Sequence, residues 1–297
     1  MISLKFACVI GWFHPKNLIF LNYHISKNYN RVNTIEEADI VFSGDTFIDT
    51  SKYKTKLFLF GPHFSVFPSE LSRKLNGDYY NAVYIQPSIS SAVVWKDEFK
   101  FDNIPVVALP FGVDTDKFYP KIKEESVVVY YKDRSPLEFN FLINFLNHKK
   151  INYKLFDYRK SYQEHEYLNA LQTAKYMIVL GRHESQGFAI QEAMSCDVPL
   201  FVWDVDRHDE EWSHRIEYKD VNSKVTSVPY WSKVCGIKTT DPLKISKLFE
   251  EFLSKIHTYS PRKFILENLS MKTCDILWKN KVIELKNKWR NSLYFIV

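Results

Sequence analysis

The chain has 297 residues, a length that suits two α/β domains better than one single core. It holds 40 Lys and Arg against 35 Asp and Glu, and neither half has a basic excess, which disfavours a nucleic-acid partner. Its four cysteines are scattered without a Cys-x-x-Cys pair, which disfavours disulfide frameworks and zinc sites. With no signal peptide and no apolar run of about 18 residues, we expect a cytoplasmic protein.

Short apolar runs separated by helical or polar stretches fill the first half. The predicted strands of the first half are Leu4–Gly11, Ile40–Ser43, Lys56–Phe60, Ala82–Ile85 and Val106–Leu109.

The composition of the whole chain is also biased. Only 8 glycines occur among many Lys, Asn, Ile and Tyr, which is typical of an AT-rich genome such as that of a giant DNA virus or an AT-rich microbe.

The segment Ile104–Pro120, with the sequence IPVVALPFGVDTDKFYP, predicts a domain boundary. It combines a short strand that ends at Pro110, a turn with Gly112 and a stop at Pro120. Its position, about two fifths of the way along the chain, divides it into two unequal halves. We therefore predict a first domain over residues 1–118.

The second half repeats the strand–helix alternation. Its predicted strands are Val127–Tyr131, Tyr153–Phe156, Met177–Leu180 and Pro199–Trp203, and its clearest helices are Leu137–Asn147, Glu164–Ala174 and Phe188–Ser195. Short apolar strands that alternate with helices predict parallel sheets covered on both faces. The fold class is thus α/β, with a second domain over residues 119–260.

The most informative segment runs from Leu180 to Asp204, LGRHESQGFAIQEAMSCDVPLFVWD. A glycine at the start of a helix leaves backbone N–H groups exposed, and the helix dipole adds partial positive charge, so a phosphate fits at Gly187-Phe188. Glu192, about one and a half turns into the helix, can accept two hydrogen bonds from a ribose diol. Glu184 lies in the loop just past a strand end, where open α/β sheets bind ligands. Together these residues predict a nucleotide-sugar site.

This string resembles the Glu-x7-Glu signature of retaining GT-B glycosyltransferases, especially family 4. It shares both glutamates, the Gly-Phe and Ala-Met pairs and Pro199, and Ile104–Pro120 resembles the segment that leaves the first domain of those enzymes. It differs in one additional residue before Gly187-Phe188 and in Asp197, where the family usually has Gly. The resemblance implies two Rossmann-like domains whose parallel sheets face each other across a cleft.

Two cations directly follow the first strand of the second half, Lys132 and Arg134. Positive groups at a strand's carboxyl end suit a diphosphate leaving group, because they offset the charge that grows as the glycosidic bond breaks. Family 4 enzymes carry an Arg and a Lys in this region in a different order and spacing. Arg182 is a weaker phosphate candidate, and a plain surface pair is the alternative for Lys132 and Arg134.

In the first half the resemblance points to two positions. Gly11 follows the first strand, where related enzymes have a glycine-containing loop that approaches donor and acceptor. His63 lies just past another strand end, and related enzymes often place a histidine against the donor sugar. A structural role is the alternative for both.

The resemblance implies a retaining, metal-independent transferase that moves a sugar from a nucleotide-diphosphate donor to a glycan, glycoprotein or lipid-linked acceptor. No cofactor is expected, and no protein nucleophile is evident. The alternatives are a nucleotide-sugar epimerase or another enzyme of the same fold, and a non-catalytic sugar- or nucleotide-binding scaffold.

The tail, residues 261–297, carries eight Lys or Arg and three Asp or Glu, which accounts for the whole net charge of +5. Apolar residues recur there at helical spacing: Trp278, Val282, Leu285, Trp289, Leu293 and Ile296. One interpretation is an interfacial helix that holds the enzyme on anionic lipid. The other, which we favour, is a helix that packs back on the first domain and exposes its basic face.

Overall fold

The computed structural model describes residues 4–62, 81–97, 104–217 and 219–293, with secondary structure as follows. The strands are β1 Lys5–Val9, β2 Asn30–Arg31, β3 Ile40–Ser43, β4 Leu57–Phe60, β5 Ala82–Gln86, β6 Val106–Ala108, β7 Val127–Lys132, β8 Tyr153–Asp157, β9 Tyr176–Gly181, β10 Leu200–Trp203 and β11 Gly236–Thr239. The α-helices are α1 Pro15–Asn28, α2 Ile89–Asp97, α3 Pro136–His148, α4 Glu164–Thr173, α5 Phe188–Ser195, α6 Ile245–Ser254, α7 Pro261–Asn268 and α8 Met271–Leu293.

The chain divides into two compact units, Met1–Gly112 with Met271–Val297, and Val113–Ser270. Both divisions differ from the predicted ones after residues 118 and 260. The Val113 amide donates to the Leu269 carbonyl at 2.8 Å, and Val113 forms a parallel bridge with Ser270. The Arg262 guanidinium donates to the carbonyls of Thr115 and Phe118. These bonds fasten residues 113–118 and α7 to the second unit, so the predicted boundary segment is divided after Gly112.

The first unit is built on a six-stranded parallel sheet in the order β2-β1-β3-β4-β5-β6. Every residue of β3 and β4 is buried, as expected for strands with both faces covered. The chain runs from β1 to β2 on one side and then returns to β3 on the other. The sheet therefore has a topological switch point between the carboxyl ends of β1 and β3, the place where open α/β sheets bind ligands.

The long C-terminal helix α8 is part of the first unit and packs against α1. Trp278 is fully buried, with its ring centroid 5.1 Å from that of Phe111 and 5.6 Å from that of Phe20. Its indole N–H donates to the Pro110 carbonyl at 2.8 Å. Val282 is fully buried too. This part of the apolar stripe is thus covered by protein; the side chains of Trp289 and Leu293, and Ile296 itself, lie outside the described residues.

The second unit contains a five-stranded parallel sheet in the order β11-β10-β9-β7-β8. All of β7 and β9 is buried. Helix α3 begins with Pro136 after a capping box, in which Ser135 and Glu138 satisfy each other's backbone N–H groups. Here the switch point lies between the carboxyl ends of β7 and β9, since β8 and β10 extend the sheet to opposite sides.

The predicted α/β architecture is confirmed, and every predicted strand is present within a residue or two. The largest difference in strand length is at the first, which ends at Val9 rather than Gly11 because the chain turns away there. Strands β2 and β11 were not predicted, and neither were several helices, α1 among them. Among the described residues, no helix is long and apolar enough to cross a membrane.

Candidate functional site

The switch point of the second unit brings two predicted site residues together. Lys132 ends β7 and pairs in register with Gly181, which ends β9, and the Arg182 amide donates to the Lys132 carbonyl at 2.8 Å. Three residues beyond Gly181, Glu184 is held by its amide, which donates to the Thr226 carbonyl at 3.0 Å. Neighbouring strand ends thus aim the lysine and the glutamate at one place.

The Lys132 Nζ lies 2.6 Å from the Glu184 Oε1, and the two side chains are only 8 % and 13 % exposed. The ammonium also lies 4.3 Å from the centroid of the Tyr158 ring. Burial, followed by the negative charge of Glu184, raises the pKa of Tyr130 well above its usual value. A largely buried ion pair at a sheet's ligand-binding edge is costly to desolvate, which is typical of a functional site rather than of stabilisation alone.

Gly187 starts helix α5 in the left-handed conformation, with φ of 81°. Any other residue would be strained there, and a Cβ would lie 3.6 Å from the Glu184 side chain. The turn is further held by Gln191, whose amide donates to the Gln186 carbonyl at 2.7 Å. Phe188 is the first helical residue and is half-buried. The geometry therefore places a helix N-terminus, which favours anions, directly beside Glu184.

Glu192 lies on the second turn of α5 and is 2 % exposed. Burial and then the negative charge of Glu192 raise the pKa of Tyr162 to about 12. The Tyr167 hydroxyl donates to the Ala189 carbonyl at 2.9 Å, and its ring lies 5.4 Å from that of Tyr162. The predicted ribose-binding carboxylate is thus buried on the second turn of α5, and its charge reaches the hydroxyl of Tyr162.

Arg134, the second predicted diphosphate contact, is buried against protein acceptors. Its side chain is fully buried, and its guanidinium donates to both oxygens of Glu138 and to the carbonyls of Gly181, Trp203 and Asp204. The reason is local, because Asp133 adopts a φ of 50° and turns the chain after β7. Arg134 holds three strand ends together from inside the unit.

Arg182 also faces a protein carboxylate. Its Nη1 donates to the Glu211 Oε2 at 3.0 Å, and its side chain is 21 % exposed. Burial, partly offset by the charge of Arg182, raises the pKa of Glu211. The buried His183 lies 3.5 Å from the same oxygen, and burial followed by the positive charge of Arg182 lowers its pKa well below the usual value. The sequence analysis did not identify Glu211.

A group of hydrogen bonds around Asp133 was also not predicted from the sequence. The Asp133 carboxylate accepts hydrogen bonds from the Arg159 guanidinium and from the Ser213 hydroxyl. The backbone carbonyl of Asp133 accepts a further one from the Trp212 amide at 2.9 Å. The long connection after β10 is thereby fastened to the turn that follows Lys132. The only available sequence signal was position, since Asp133 lies two residues and Arg159 three residues past a predicted strand end.

Asp204 is bound entirely within the second unit. Its carboxylate accepts hydrogen bonds from the Thr226 hydroxyl, the Ser227 amide and the Lys238 Nζ, at 2.7–2.9 Å. Asp204 therefore fixes the segment around Thr226, whose carbonyl accepts the hydrogen bond from the Glu184 amide. Among the residues that the structure describes, no group of three or more His, Cys, Asp or Glu has a metal-binding arrangement.

Asp197, which stands where family 4 usually has a glycine, lies in the turn after α5. Asp197 adopts a φ of 56°, a conformation that favours the glycine usual in family 4. Its carboxylate accepts a hydrogen bond from the Arg262 amide at 3.1 Å. Aspartate tolerates this backbone better than most residues, so the substitution exchanges some strain for a contact with α7.

In the first unit, Gly11 follows β1 at the other switch point. The amides of Gly11 and Trp12 donate to the Asp45 carboxylate at 2.9 Å and 2.6 Å. A Cβ on Gly11 would lie 2.8 Å from the Asp45 Oδ2, so a glycine permits this close approach. Asp45 was not predicted, and His63 lies outside the described residues.

Known proteins resemble the chain in structure rather than in sequence. No family model and no curated protein matches the sequence. Among solved structures, two parallel-sheet units of this kind occur in glycosyltransferases, and the chain has the GT-B fold. The three structures below are 10–12 % identical to it and show the fold alone.

The first is the lipopolysaccharide outer core galactosyltransferase WaaB in its apo form, 12 % identical, with a TM-score of 0.53 over 95 % of this chain and 99 % of that one. The second is accessory secretory protein 1, 2 and 3 of Streptococcus pneumoniae, 10 % identical, with a TM-score of 0.53 over 93 % and 58 %. The third is the GtfA/B complex, 12 % identical, with a TM-score of 0.51 over 93 % and 61 %. The chain thus spans about three fifths of the GtfA/B chain but nearly all of WaaB.

Proposed function

We propose that the protein is a glycosyltransferase that moves a sugar from a nucleotide-diphosphate sugar to an acceptor hydroxyl with retention of configuration. One observation carries the proposal: Lys132 and Glu184 form a largely buried ion pair at the switch point of the second unit, beside a helix start at Gly187. The structural likeness to a galactosyltransferase over nearly the whole of both chains supports it.

Each residue has a role that its surroundings suit. Lys132 neutralises the diphosphate together with the N-terminus of α5 at Gly187-Phe188. Glu184 accepts hydrogen bonds from the sugar ring, and Glu192 accepts them from the ribose diol. A diphosphate that approaches Lys132 would share an ammonium now paired with Glu184, so donor binding and sugar orientation are coupled through this one lysine.

The chemical step balances without a protein nucleophile. The bond between the anomeric carbon and the diphosphate oxygen breaks, and the acceptor oxygen forms a new bond to that carbon on the same face. The acceptor proton passes to an oxygen of the departing phosphate. Lys132 stabilises the negative charge that grows on this leaving group, and we propose that no bound metal is required.

Arg134 and Arg182 enter the proposal as positioning residues. Arg134 donates to the carbonyls of Gly181 and Trp203, and it thereby holds the strand ends on which Lys132 and Glu184 are placed. Arg182 links the Glu184 loop to Glu211. We therefore assign both arginines an indirect role, in which they fix the strand ends and the Glu184 loop that face the donor.

The direct test is thermal stabilisation by uridine, guanosine, adenosine and cytidine diphosphates and their sugars. A ligand at about 100 times its Kd stabilises by about 2.7 kcal/mol, a shift of several degrees for units of this size. We expect one base series to shift the wild-type Tm and Glu192→Gln to reduce or abolish that shift. Glu166→Gln, an exposed glutamate on α4, is the matched control and should keep it.

Donor turnover then separates the proposal from its alternatives. Release of nucleoside diphosphate that depends on an added acceptor supports a transferase. Isomerisation of the donor without acceptor would instead indicate an epimerase, and binding without turnover would indicate a scaffold. No shift with any nucleotide series would contradict the donor site itself.

Peripheral contact with anionic lipid is part of the proposal only for the exposed face of α8. Ile276 and Ile283 are 50 % and 44 % exposed there, among the exposed Lys272 and Lys279. This face, rather than the stripe that contains the buried Trp278, would meet a membrane surface.

A further inference from the structure

Helix α3 of the second unit exposes large apolar side chains to solvent. Leu137 is 78 % exposed and Phe141 is 47 % exposed. They lie four residues apart, so they share one face of the helix. The Phe141 ring centroid lies 5.7 Å from that of the buried Trp203, at the end of β10. The exposed apolar surface of α3 is therefore continuous with the core of the second unit.

The rest of this face is polar but uncharged. Three exposed asparagines follow Leu137 at helical spacing, three, seven and ten positions further on. Glu138 is the one Asp, Glu, Lys or Arg in α3, and both of its carboxylate oxygens accept hydrogen bonds from the buried Arg134. The resulting neutral stripe, called the α3 face below, consists of Leu137, Asn140, Phe141, Asn144 and Asn147.

Helix α6, which packs beside α3, shows what an ordinary surface looks like in the same unit. The two helices are in contact, since the ring centroids of Phe145 and Phe249 lie 5.4 Å apart. The exposed side of α6 carries Lys247 and Glu250, the charged face typical of a solvated helix. Depletion of charge together with exposed Leu and Phe is instead typical of the central part of a protein–protein interface.

The charge of the α3 face indicates which partner it suits. In a two-fold dimer the same surface of both copies meets, so a charged face would repel its own copy. The α3 face carries no charge and is complementary to itself. Its apolar side chains can pack on those of the second copy. An asparagine amide has both a donor and an acceptor, so amides of the two copies can pair with each other.

A membrane surface fits this face less well. None of its five residues is a Lys or Arg, the side chains that attract anionic headgroups. Its three asparagine amides would lose hydrogen bonds in hydrocarbon, where nothing replaces them. The α3 face therefore differs in kind from the exposed face of α8, which carries lysines among its isoleucines.

We propose that the protein forms a two-fold dimer in which the α3 face of one copy packs on the α3 face of the other. The dimer buries Leu137 and Phe141 of both copies at its centre. This inference does not rest on the proposed transferase activity, because self-association requires neither donor nor acceptor.

The test is the mass of the full-length protein by sedimentation equilibrium over a range of concentrations. We expect the wild type to reach twice the mass of the 35.2 kDa chain. Leu137→Glu should raise the dimer Kd at least about tenfold, because it places a charge where each copy buries apolar surface. A glutamate in the first turn of a helix also suits the helix dipole, so the variant should fold. Ile122→Glu, at a residue before β7 that is 90 % exposed, is the matched control and should dimerise like the wild type.

A charge exchange tests that α3 meets α3. Asn144→Asp and Asn144→Lys should each weaken the dimer, because each places like charges on both copies of the face. An equimolar mixture of the two variants should regain the dimer, now with opposite charges. Thermal unfolding of each variant verifies that it is folded. A mixture no more associated than either variant alone would overturn the proposed pairing.

The other outcomes are equally decisive. A wild type that is monomeric at about 100 µM, well above the micromolar Kd of weak interfaces of standard size, would overturn the proposal. So would Leu137→Glu that dimerises as tightly as the wild type. A monomeric wild type that sediments with phosphatidylcholine and phosphatidylglycerol vesicles, and loses this in Leu137→Glu, would overturn it in favour of lipid. Stabilisation of the same samples by nucleotides tests the donor site separately.

Discussion

The two switch points share a backbone arrangement and differ in the partner of their carboxylate. In the second unit, Glu184 pairs with the Lys132 ammonium at 2.6 Å. In the first, Asp45 binds the backbone amides of Gly11 and Trp12 instead. The sheet topology therefore determines where a ligand can bind, while the side chains at the strand ends determine its charge. A lysine at a strand end favours an anionic ligand, whereas a carboxylate bound only to backbone amides does not.

The largest expected effect is a loss of folding stability in the first unit. Trp278→Ala should destabilise the first unit by about 3–5 kcal/mol, because a fully buried ring is removed together with its hydrogen bond to the Pro110 carbonyl. Urea unfolding followed by tryptophan fluorescence measures this cost. Leu277→Ala, a neighbour on α8 that is 44 % exposed, is the control and should change the midpoint little.

The same variant sharpens the comparison between units. If the nucleotide site lies wholly within the second unit, nucleotides should still raise the stability of that unit when the first is weakened. Loss of all nucleotide stabilisation at temperatures where the second unit remains folded would show that the first unit is needed for donor binding.

A smaller effect, measured on catalysis, is expected at the switch point of the second unit. Glu184→Gln keeps the shape of the side chain but removes the charge that faces Lys132, so we expect kcat/KM to fall about 10²–10³-fold. The control is Glu164→Gln, which breaks a surface pair with Lys117 whose side chains are 50 % and 43 % exposed. Unchanged transfer by Glu184→Gln in a folded protein would contradict the role assigned to this glutamate.

The sheets could be predicted from sequence because their central strands are short, uninterrupted apolar runs. In β3 and β7 every residue is buried, so the pattern is unambiguous. The edge strands β2 and β11 gave no such signal. Strand β11, for example, starts with a glycine and places Lys238 in the middle of a half-exposed strand. Strands of this kind are recognisable only through their neighbour in the sheet.

The site was predictable where the rule about strand ends applied and unpredictable where the backbone turned. Lys132 and Glu184 were both placed at strand ends by their sequence context, and the structure brings them into contact. Two residues further on, the positive φ of Asp133 sends Arg134 into the interior, which no residue pattern indicated. Asp45 lies 34 positions from Gly11, and a single sequence does not reveal such a distant pair.

The smallest expected effect concerns pH and again contrasts the units. In the first unit His24 is fully buried, and its Nδ1 lies 2.6 Å from the Asp275 carboxylate on α8. Burial lowers the pKa of His24, although Asp275 opposes the shift, while Lys279 adds to it. The unfolded chain therefore binds a proton more readily than the folded one. Stability contributed by neutral His24 is present above the ordinary histidine value of about 6.5 and decreases as the pH falls below it.

This loss can be at most about 1.4 kcal/mol per pH unit for one proton. His24→Gln should flatten that part of the pH dependence, measured as urea midpoints between about pH 7.5 and 5.5. The buried His183 of the second unit shifts in the same direction and is unchanged in the variant, so the difference between the two curves reports the first unit. His165→Gln, an exposed histidine on α4, is the matched control. If His24→Gln and the wild type lose stability in parallel, acid sensitivity belongs to the second unit, and the pairing of α1 with α8 is insensitive to protonation.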